Sequence, residues 1–465
     1  PKVRVTAIGP AGERVSLISC PINDGHRAPA RGGTGPIMGS KKLKAIAVRG
    51  TKDIPVAHPD KVLEINKKVT EAMKDNQMAQ AFGTYGTGVG TPASALNGDS
   101  PVKNWAGVGV IDFGEEKAEK MGSIALDRYK TKKYNCSSCP LGCGAEYEVN
   151  DGRWPLGKTE RPEYETAAAF GSTLLCGEPD AMLKCNEICN TYGFDTISAG
   201  MTIAWAMECY ERGILSKEEL DGIELTWGNG EAIVKIMQKM ADGEGCGAIL
   251  SHGSQYAANY WNKGKEYLQT ASGIELPMHD PRHSPGLART YKYDPTPGRH
   301  VKGGIGGVQM LEPIKEENYI FDGTGPMDLG MTLFTEVLNA SSMCYFSTLS
   351  APSETVYEYI SATTGMNFDQ ETAMNTGLRI FMIRYAFNLR EGIKPKDMTL
   401  TKRAIGEPPL EAGPLKGYRV DVEKLGRNFF KEAGIDFDTG LPDKAVLKRL
   451  GYLDEVIKDI YGEDK

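Results

Sequence analysis

The sequence predicts a mainly α-helical protein, built as two helical lobes and preceded by a short remnant of β-structure. Three observations predict this. The chain has 465 residues, more than one core of roughly 100–200 residues organises, so two or three units are expected. From residue 59 onward apolar residues recur at the three- and four-residue spacing of helices. Before residue 50 they alternate instead, between glycine-rich turns.

Residues 1–50 read as the C-terminal end of a β domain. The run Val3-Arg4-Val5-Thr6-Ala7-Ile8 alternates, and two further strands are expected at 15–19 and 43–48, around Arg31-Gly32-Gly33-Thr34-Gly35. The alternation starts at once after Pro1, so an upstream domain is expected. A first helical domain is expected over 51–265, with helices near 59–75, 162–175, 178–192, 196–213, 216–222 and 230–242. It also holds a Gly/Thr/Pro-rich loop at 83–101 and a cysteine loop at 134–144. A second helical domain, 266–465, opens on a Pro/Gly/His-rich stretch from 278 to 307, long and specific enough to be functional rather than a linker. Helices near 328–340, 352–363, 370–388 and 444–460 follow, with a Pro-rich connection at 394–415.

Composition narrows the function. Hydrophobic residues at 40% and charged residues at 25% are globular usage. A net charge of -7 without a basic stripe excludes the phosphate-neutralising surface that nucleic acid requires. No apolar run approaches the roughly 20 residues of a membrane span and no signal-peptide layout opens the chain, so a cytoplasmic location is expected. No Gly-rich strand-turn-helix of the dinucleotide-binding kind is present, which argues against direct nicotinamide use.

Ten cysteines are too few for a disulfide scaffold, and three of them fall within eight residues. Cys136, Cys139 and Cys143 follow a C-x2-C-x3-C spacing on a loop with Pro140 and Gly142. Three thiolates on a tightly turning loop suit an iron–sulfur cubane that takes one more ligand from elsewhere. Structural zinc, which also accepts four thiolates, stays open at this point. Of the other cysteines, Cys20, Cys185, Cys189, Cys209 and Cys246 sit in helical or apolar settings that suit core packing. Cys176 lies between two expected helices, where a loop thiol could face a pocket.

Several passages, in order, resemble the aldehyde ferredoxin oxidoreductase family. They are Gly9-Pro10-Ala11-Gly12-Glu13, Asn23-Asp24-Gly25-His26-Arg27-Ala28, Met38-Gly39-Ser40-Lys41-Lys42-Leu43-Lys44-Ala45, the cysteine loop, Pro162-Glu163-Tyr164-Glu165-Thr166, and Asn190-Thr191-Tyr192-Gly193-Phe194-Asp195. The resemblance implies a tungsten bis-pterin (tungstopterin) beside a [4Fe-4S] cluster. It also implies a D-x-x-G-L-C/D motif used twice, once as Asn190 with Gly193, Phe194 and Asp195, and again as Asn339-Ala340-Ser341-Ser342-Met343-Cys344. Asn190, Gly193, Phe194, Asp195, Asn339, Ser342 and Met343 are then the expected pterin contacts, and Cys344 the fourth cluster ligand. Both copies depart from the motif: Asn replaces Asp at 190 and 339, Ser342 replaces Gly, and Phe194 and Met343 replace Leu. A neutral Asn still accepts a hydrogen bond but offers no charge.

By the same resemblance Arg27 and Ala28 approach the pterin phosphates and a bridging Mg2+, and Glu165 is the active-site carboxylate. His300 falls near the family's active-site histidine, with His279 and His283 as rivals and His26 near the phosphates. The implied activity is oxidation of an aldehyde to a carboxylic acid, with electrons passed through the cluster to ferredoxin or an iron–sulfur partner subunit, in an oligomer. Two other readings stand beside it. One is the catalytic subunit of a tungsten-dependent reductase of benzoyl-CoA type, acting on an aromatic thioester, which Cys176 as a tungsten ligand would favour. The other is an electron-transfer module that keeps only the cluster.

Overall fold

The structure, a computed structural model, describes residues 3–462. Helix accounts for 51% of it and strand for 8%, which makes the chain mainly α as expected.

The N-terminal strands are β1 (Arg4–Ile8), β2 (Pro21–Asn23) and β3 (Ala45–Val48), antiparallel in the order β2-β1-β3. The strand expected at 15–19 is absent. Val15 is left-handed (φ 58°), and Ser16 is buried with its hydroxyl donating to the Ser251 carbonyl 2.5 Å away, so this segment turns into the helical body instead of pairing. A helix at Thr34–Ser40 follows the glycine turn, where a loop was expected.

A second antiparallel sheet, β4 (Lys130–Tyr134), β5 (Gly144–Val149) and β6 (Gly157–Glu160), was not anticipated. Tyr134 pairs with Gly144, so the cysteine loop is the closed end of a hairpin rather than a free loop between helices. Residues 83–101, read as loop, hold a short helix at Thr91–Asn97.

The helix Pro59–Asp75 starts with Pro at its first position and buries Ile65, Val69 and Met73, four residues apart. Thr196–Glu211 is the central helix. Asp195 caps it by accepting from the Ile197 and Ser198 amides, both 3.2 Å, and every residue from Ile197 to Cys209 is buried. The helix expected at 216–222 is a series of turns, since Asp221 and Gly222 both have positive φ. The one expected at 444–460 is two, Lys444–Leu450 and Asp454–Tyr461, separated at Gly451 and Tyr452, again with positive φ.

Packing forms two large cores. The first runs from Ala11 to Leu268 and surrounds the central helix; the second runs from Ala288 to Ile457 and gathers Phe381, Tyr385, Phe429 and Phe430. A smaller apolar group, including Trp105, Tyr164, Met278, Leu287, Tyr291 and Ala404, lies between them and forms the bed of the site described below.

The second core encloses an ion pair. Arg289 donates twice to Asp328, at 2.7 and 2.6 Å, and Asp328 also accepts the Ile305 amide at 3.0 Å; neither side chain is more than 1% exposed. Removing one partner leaves a buried charge without its counterion. Asp328→Asn is therefore expected to destabilise the fold by about 3–5 kcal/mol, seen as a lower denaturation midpoint, whereas the exposed pair Lys120–Glu116 should contribute under about 1 kcal/mol.

Candidate active site and cluster loop

The site is built on the first turn of the helix Tyr164–Phe170, which Pro162 and Glu163 lead into. Glu165 accepts the Met278 amide through Oε2 at 2.9 Å. Its other oxygen, Oε1, is buried and has no hydrogen-bond partner among the described residues. His300 Nδ1 lies 3.3 Å from that oxygen and His279 Nε2 3.7 Å, and one ligand atom from each of the three residues falls within 4.8 Å of the others. All three side chains are 15–18% exposed.

The two histidines are held differently. His279 Nδ1 meets both oxygens of Asp99, at 3.0 and 2.9 Å, and its ring stacks on Tyr164 with centroids 4.7 Å apart. Tyr164 donates to the Met278 carbonyl at 2.6 Å and Tyr291 to the His279 carbonyl at 2.7 Å, so two buried phenols fix the backbone on which the ring sits. His300 has no comparable anchor. The Pro/Gly/His-rich stretch thus delivers two histidines to Glu165, while His283 is turned away, buried with Nδ1 on Ser284 at 2.9 Å.

These surroundings split the protonation states. Burial pushes the Glu165 carboxyl above its ordinary range, opposed in part by His279, the Met278 amide and Arg31. Burial alone would lower His279, but the charge and hydrogen bond of Asp99, with Glu165, outweigh it and the net shift is upward. His300 is driven well below the ordinary histidine range by burial and then by His279, Arg31 and Arg299, which makes it a neutral imidazole.

A cavity of about 860 Å³ is lined by Arg31, Gly32, Gly33, Asp195, Glu275 and Arg384 among others; Glu165, His279 and His300 do not line it, and Arg31, whose charge acts on Glu165 and His300, links it to them. Arg31 Nη1 is 3.5 Å from Asp195 Oδ2, and its Nε and Nη1 are buried without hydrogen-bond partners among the described residues. Such atoms call for an acceptor that the protein does not provide. Asp195 is the last residue of the first motif. The helix Pro179–Tyr192 ends there in a left-handed Gly193 (φ 81°), where a Cβ would stand 2.8 Å from the Cys20 carbonyl, so only glycine fits. Asn190 is half-buried in the last turn, and Phe194 is buried in the first core, an anchor for the motif.

The second motif repeats this geometry. Ser342 takes the same left-handed conformation (φ 61°), at the energetic cost that a Cβ adds. Met343 packs on a small apolar group with Val337 and Val356, Asn339 is exposed, and Cys344 is exposed at the start of the helix Tyr345–Leu349. In the hairpin loop, Ser138 (φ 58°) and Gly142 (φ 62°) turn the chain, and Asn135 donates to the Cys139 carbonyl at 2.8 Å. Cys139 and Cys143 pack near Phe346, two residues beyond Cys344. The Cys143 thiol is pushed up to about 11 by burial and then by Glu163, with Cys344 and Cys136 adding to the rise, so those thiols lie close enough to act on one another.

Arg27 sits between the two features. It pairs with Glu163 Oε1 at 2.5 Å, lies over the Tyr134 ring at 5.5 Å, and keeps Nε and Nη2 buried without partners among the described residues. Ala28 is exposed, and His26 packs on Tyr134 at the cysteine loop.

Cys176 corrects an expectation. It is fully buried in the first core, it does not line the cavity, and burial pushes its thiol up to about 12. Left-handed Leu175 (φ 54°) and a bond from the Cys176 amide to the Gly171 carbonyl fold this turn inward, so the residue is buried like Cys20, Cys185, Cys189, Cys209 and Cys246. Asp99 and Arg31 were not anticipated as site residues. Asp99 follows a left-handed Gly98 in an irregular loop, and no spacing in the sequence ties it to a residue 180 positions away.

Two family models match the chain: the N-terminal domain of aldehyde ferredoxin oxidoreductase over residues 1–50, and domains 2 and 3 of the same enzyme over residues 64–452. A tungsten-containing aldehyde ferredoxin oxidoreductase of Pyrococcus furiosus is 35% identical over 97% of this chain and 73% of the relative. Its counterpart in Thermococcus kodakarensis is 33% identical over 95% and 72%. A P. furiosus aliphatic sulfonate oxidoreductase, WOR-like subunit, is 27% identical over 96% and 69%. Among solved structures, the active site complex of benzoyl coenzyme A reductase with 1,5-dienoyl-CoA superposes with a TM-score of 0.77, at 22% identity, over the whole of this chain and 76% of that one, a likeness of fold.

Proposed function

Because the chain belongs to the aldehyde ferredoxin oxidoreductase family, we propose that it is a tungstopterin oxidoreductase that converts aldehydes to carboxylic acids. One observation carries this: a buried glutamate oxygen without a hydrogen bond lies 3.3 Å from a neutral imidazole, and Arg31, whose charge acts on both, lines a cavity with guanidinium atoms that have no hydrogen-bond partner among the described residues.

The residues present fit the groups this reading needs. Asp195 and Arg31, with Asn190 and Gly193 behind them, would hold one pterin. Asn339 and Ser342 would hold the other, with Phe194 and Met343 anchoring the two motifs, and the unpaired atoms of Arg27 would meet phosphate. A Mg2+ between the phosphates would take the Ala28 carbonyl. Cys136, Cys139, Cys143 and Cys344 offer the four thiolates of a [4Fe-4S] cluster. The chemistry these groups supply when bound is two-electron acceptance and single-electron transfer outward to ferredoxin or an iron–sulfur partner subunit.

The protein's own work is in proton handling. Adding water to an aldehyde and oxidising it releases two electrons and two protons: RCHO + H2O gives RCOOH + 2H+ + 2e−. Glu165, ionised, takes a proton from water or from the hydrated carbonyl through Oε1. Neutral His300 donates a hydrogen bond to the substrate oxygen, and the apolar bed under Tyr164 keeps bulk water away. The unsatisfied polar atoms around Glu165 weigh against a bare electron-transfer module, and the burial of Cys176 withdraws the reason for preferring the aromatic-ring reductase. Among the described residues no helix is long and apolar enough to cross a membrane.

Anaerobic elemental analysis of the purified protein tests the reading. About one tungsten and about four iron per chain are expected, together with aldehyde-dependent reduction of a low-potential dye. Iron without tungsten would overturn the oxidoreductase, and zinc without iron would overturn the cluster.

A further inference from the structure

Aldehyde oxidation releases two protons into a buried site, and one carboxylate holds one proton. His300 is a poor second acceptor, since it faces His279 and lies in the positive field of Arg31 and Arg299. His279 is differently placed. Asp99, 3% exposed, takes its Nδ1 with both oxygens, which leaves Nε2 pointing at Glu165 Oε1 3.7 Å away. The support extends outward: the Asp280 amide donates to the Asp99 carbonyl at 2.7 Å, joining the loop that carries Asp99 to the loop that carries His279. Besides Asp99 and Glu165, the titratable groups around His279 are His300, His283, Tyr164 and Tyr291.

We propose that Asp99 and His279 form a proton-relay dyad for Glu165, His279 receiving the proton through Nε2 and Asp99 acting as the positioning residue that fixes the ring and its tautomer. In the step, the Glu165 O–H bond breaks and an Nε2–H bond forms. The carboxylate is restored for the second proton, and the resulting imidazolium is balanced by Asp99. Water entering as product leaves takes the proton from Nε2. The direction of transfer rests on the aldehyde reading above; the dyad itself does not. A carboxylate that orients a histidine through one ring nitrogen while the other does the chemistry is an arrangement with large measured effects in hydrolases.

The test uses the purified protein and two readouts. Exchange of the imidazole C2 hydrogen for deuterium, followed by mass spectrometry across pH, gives the titration midpoint of each histidine without any activity assay. In the wild type the His279 midpoint is expected above the ordinary value of about 6.5, and Asp99→Asn should lower it by about one unit or more, with His300 still low. In parallel, benzaldehyde oxidation with benzyl viologen should lose about 10- to 100-fold in kcat with KM within about twofold, and its pH profile should shift with the His279 midpoint. Asp99→Glu, which keeps the charge, should restore part of both. An unshifted His279 midpoint in a folded Asp99→Asn chain would overturn the dyad. A shifted midpoint with kcat and pH profile unchanged would overturn the relay. If the wild type oxidises no aldehyde, it is the functional reading that fails, and the exchange midpoints still decide the dyad.

Discussion

Glu165→Gln is expected to lower kcat for aldehyde oxidation by about 100- to 10,000-fold, with KM changed by less than about threefold. Gln keeps an acceptor for the Met278 amide, which Glu165 receives at 2.9 Å, so the helix start and the loop at 278 stay in place. What is lost is the base at Oε1. The pH profile gives an independent reading. Burial raises the Glu165 carboxyl, so its ionised, active form is lost as pH falls through a value above that of an exposed glutamate. The wild type should therefore show an acid limb in kcat displaced upward from the ordinary carboxylate range, and Glu165→Gln should remove that limb along with most of the rate. A Gln variant with wild-type kcat and an intact acid limb would move the base to another residue, and His279 is the site histidine held at a raised value.

How much of this was legible in the sequence depends on how local each signal is. Helices whose apolar stripe and caps lie within one segment were placed to within a few residues: Pro59–Asp75, Pro179–Tyr192, Thr196–Glu211 and Gln370–Arg390. Val422–Ala433 carries the same signal, burying Val422, Leu425, Phe429 and Ala433 behind an Asp421 cap, yet no helix was expected there. The β4-β5-β6 sheet escaped because β5 alternates over only six residues and its partners are short and polar. In the candidate site, the family resemblance pointed to Glu165 and His300, and the structure brings these two side chains within 3.3 Å of each other. His279 was ranked below His300 because only His300 fell near the position of the family's histidine, and what singles out His279 in the structure is its contact with Asp99, 180 residues earlier. Cys176 shows the opposite case: a loop position suggested a thiol facing a pocket, and a left-handed turn put it into the core.

The other large effect is expected at Cys344. The three hairpin thiols are held by their own loop, with Ser138 and Gly142 setting the turns and Arg161 donating to the Cys143 carbonyl from behind. Cys344 arrives from a different core, brought in by the left-handed turn at Ser342 and seated beside Phe346, which packs among Cys139 and Cys143. A cubane bound as proposed would, with one ligand missing, be held by the hairpin alone, so Cys344→Ala is expected to lower iron from about four per chain to well under half of that after anaerobic purification. Aldehyde-dependent reduction of ferredoxin should fall by about 100-fold or more, because electrons then have no exit. Cys176→Ser supplies the contrast. A hydroxyl placed in the apolar core should cost about 1–3 kcal/mol of stability while iron content and rate per folded chain stay unchanged. If Cys344→Ala retains full iron, the fourth ligand lies elsewhere, and the second motif is then a pterin motif without a part in the cluster. If Cys176→Ser abolishes activity in a folded chain, the thiol has a role that its place in the core does not explain.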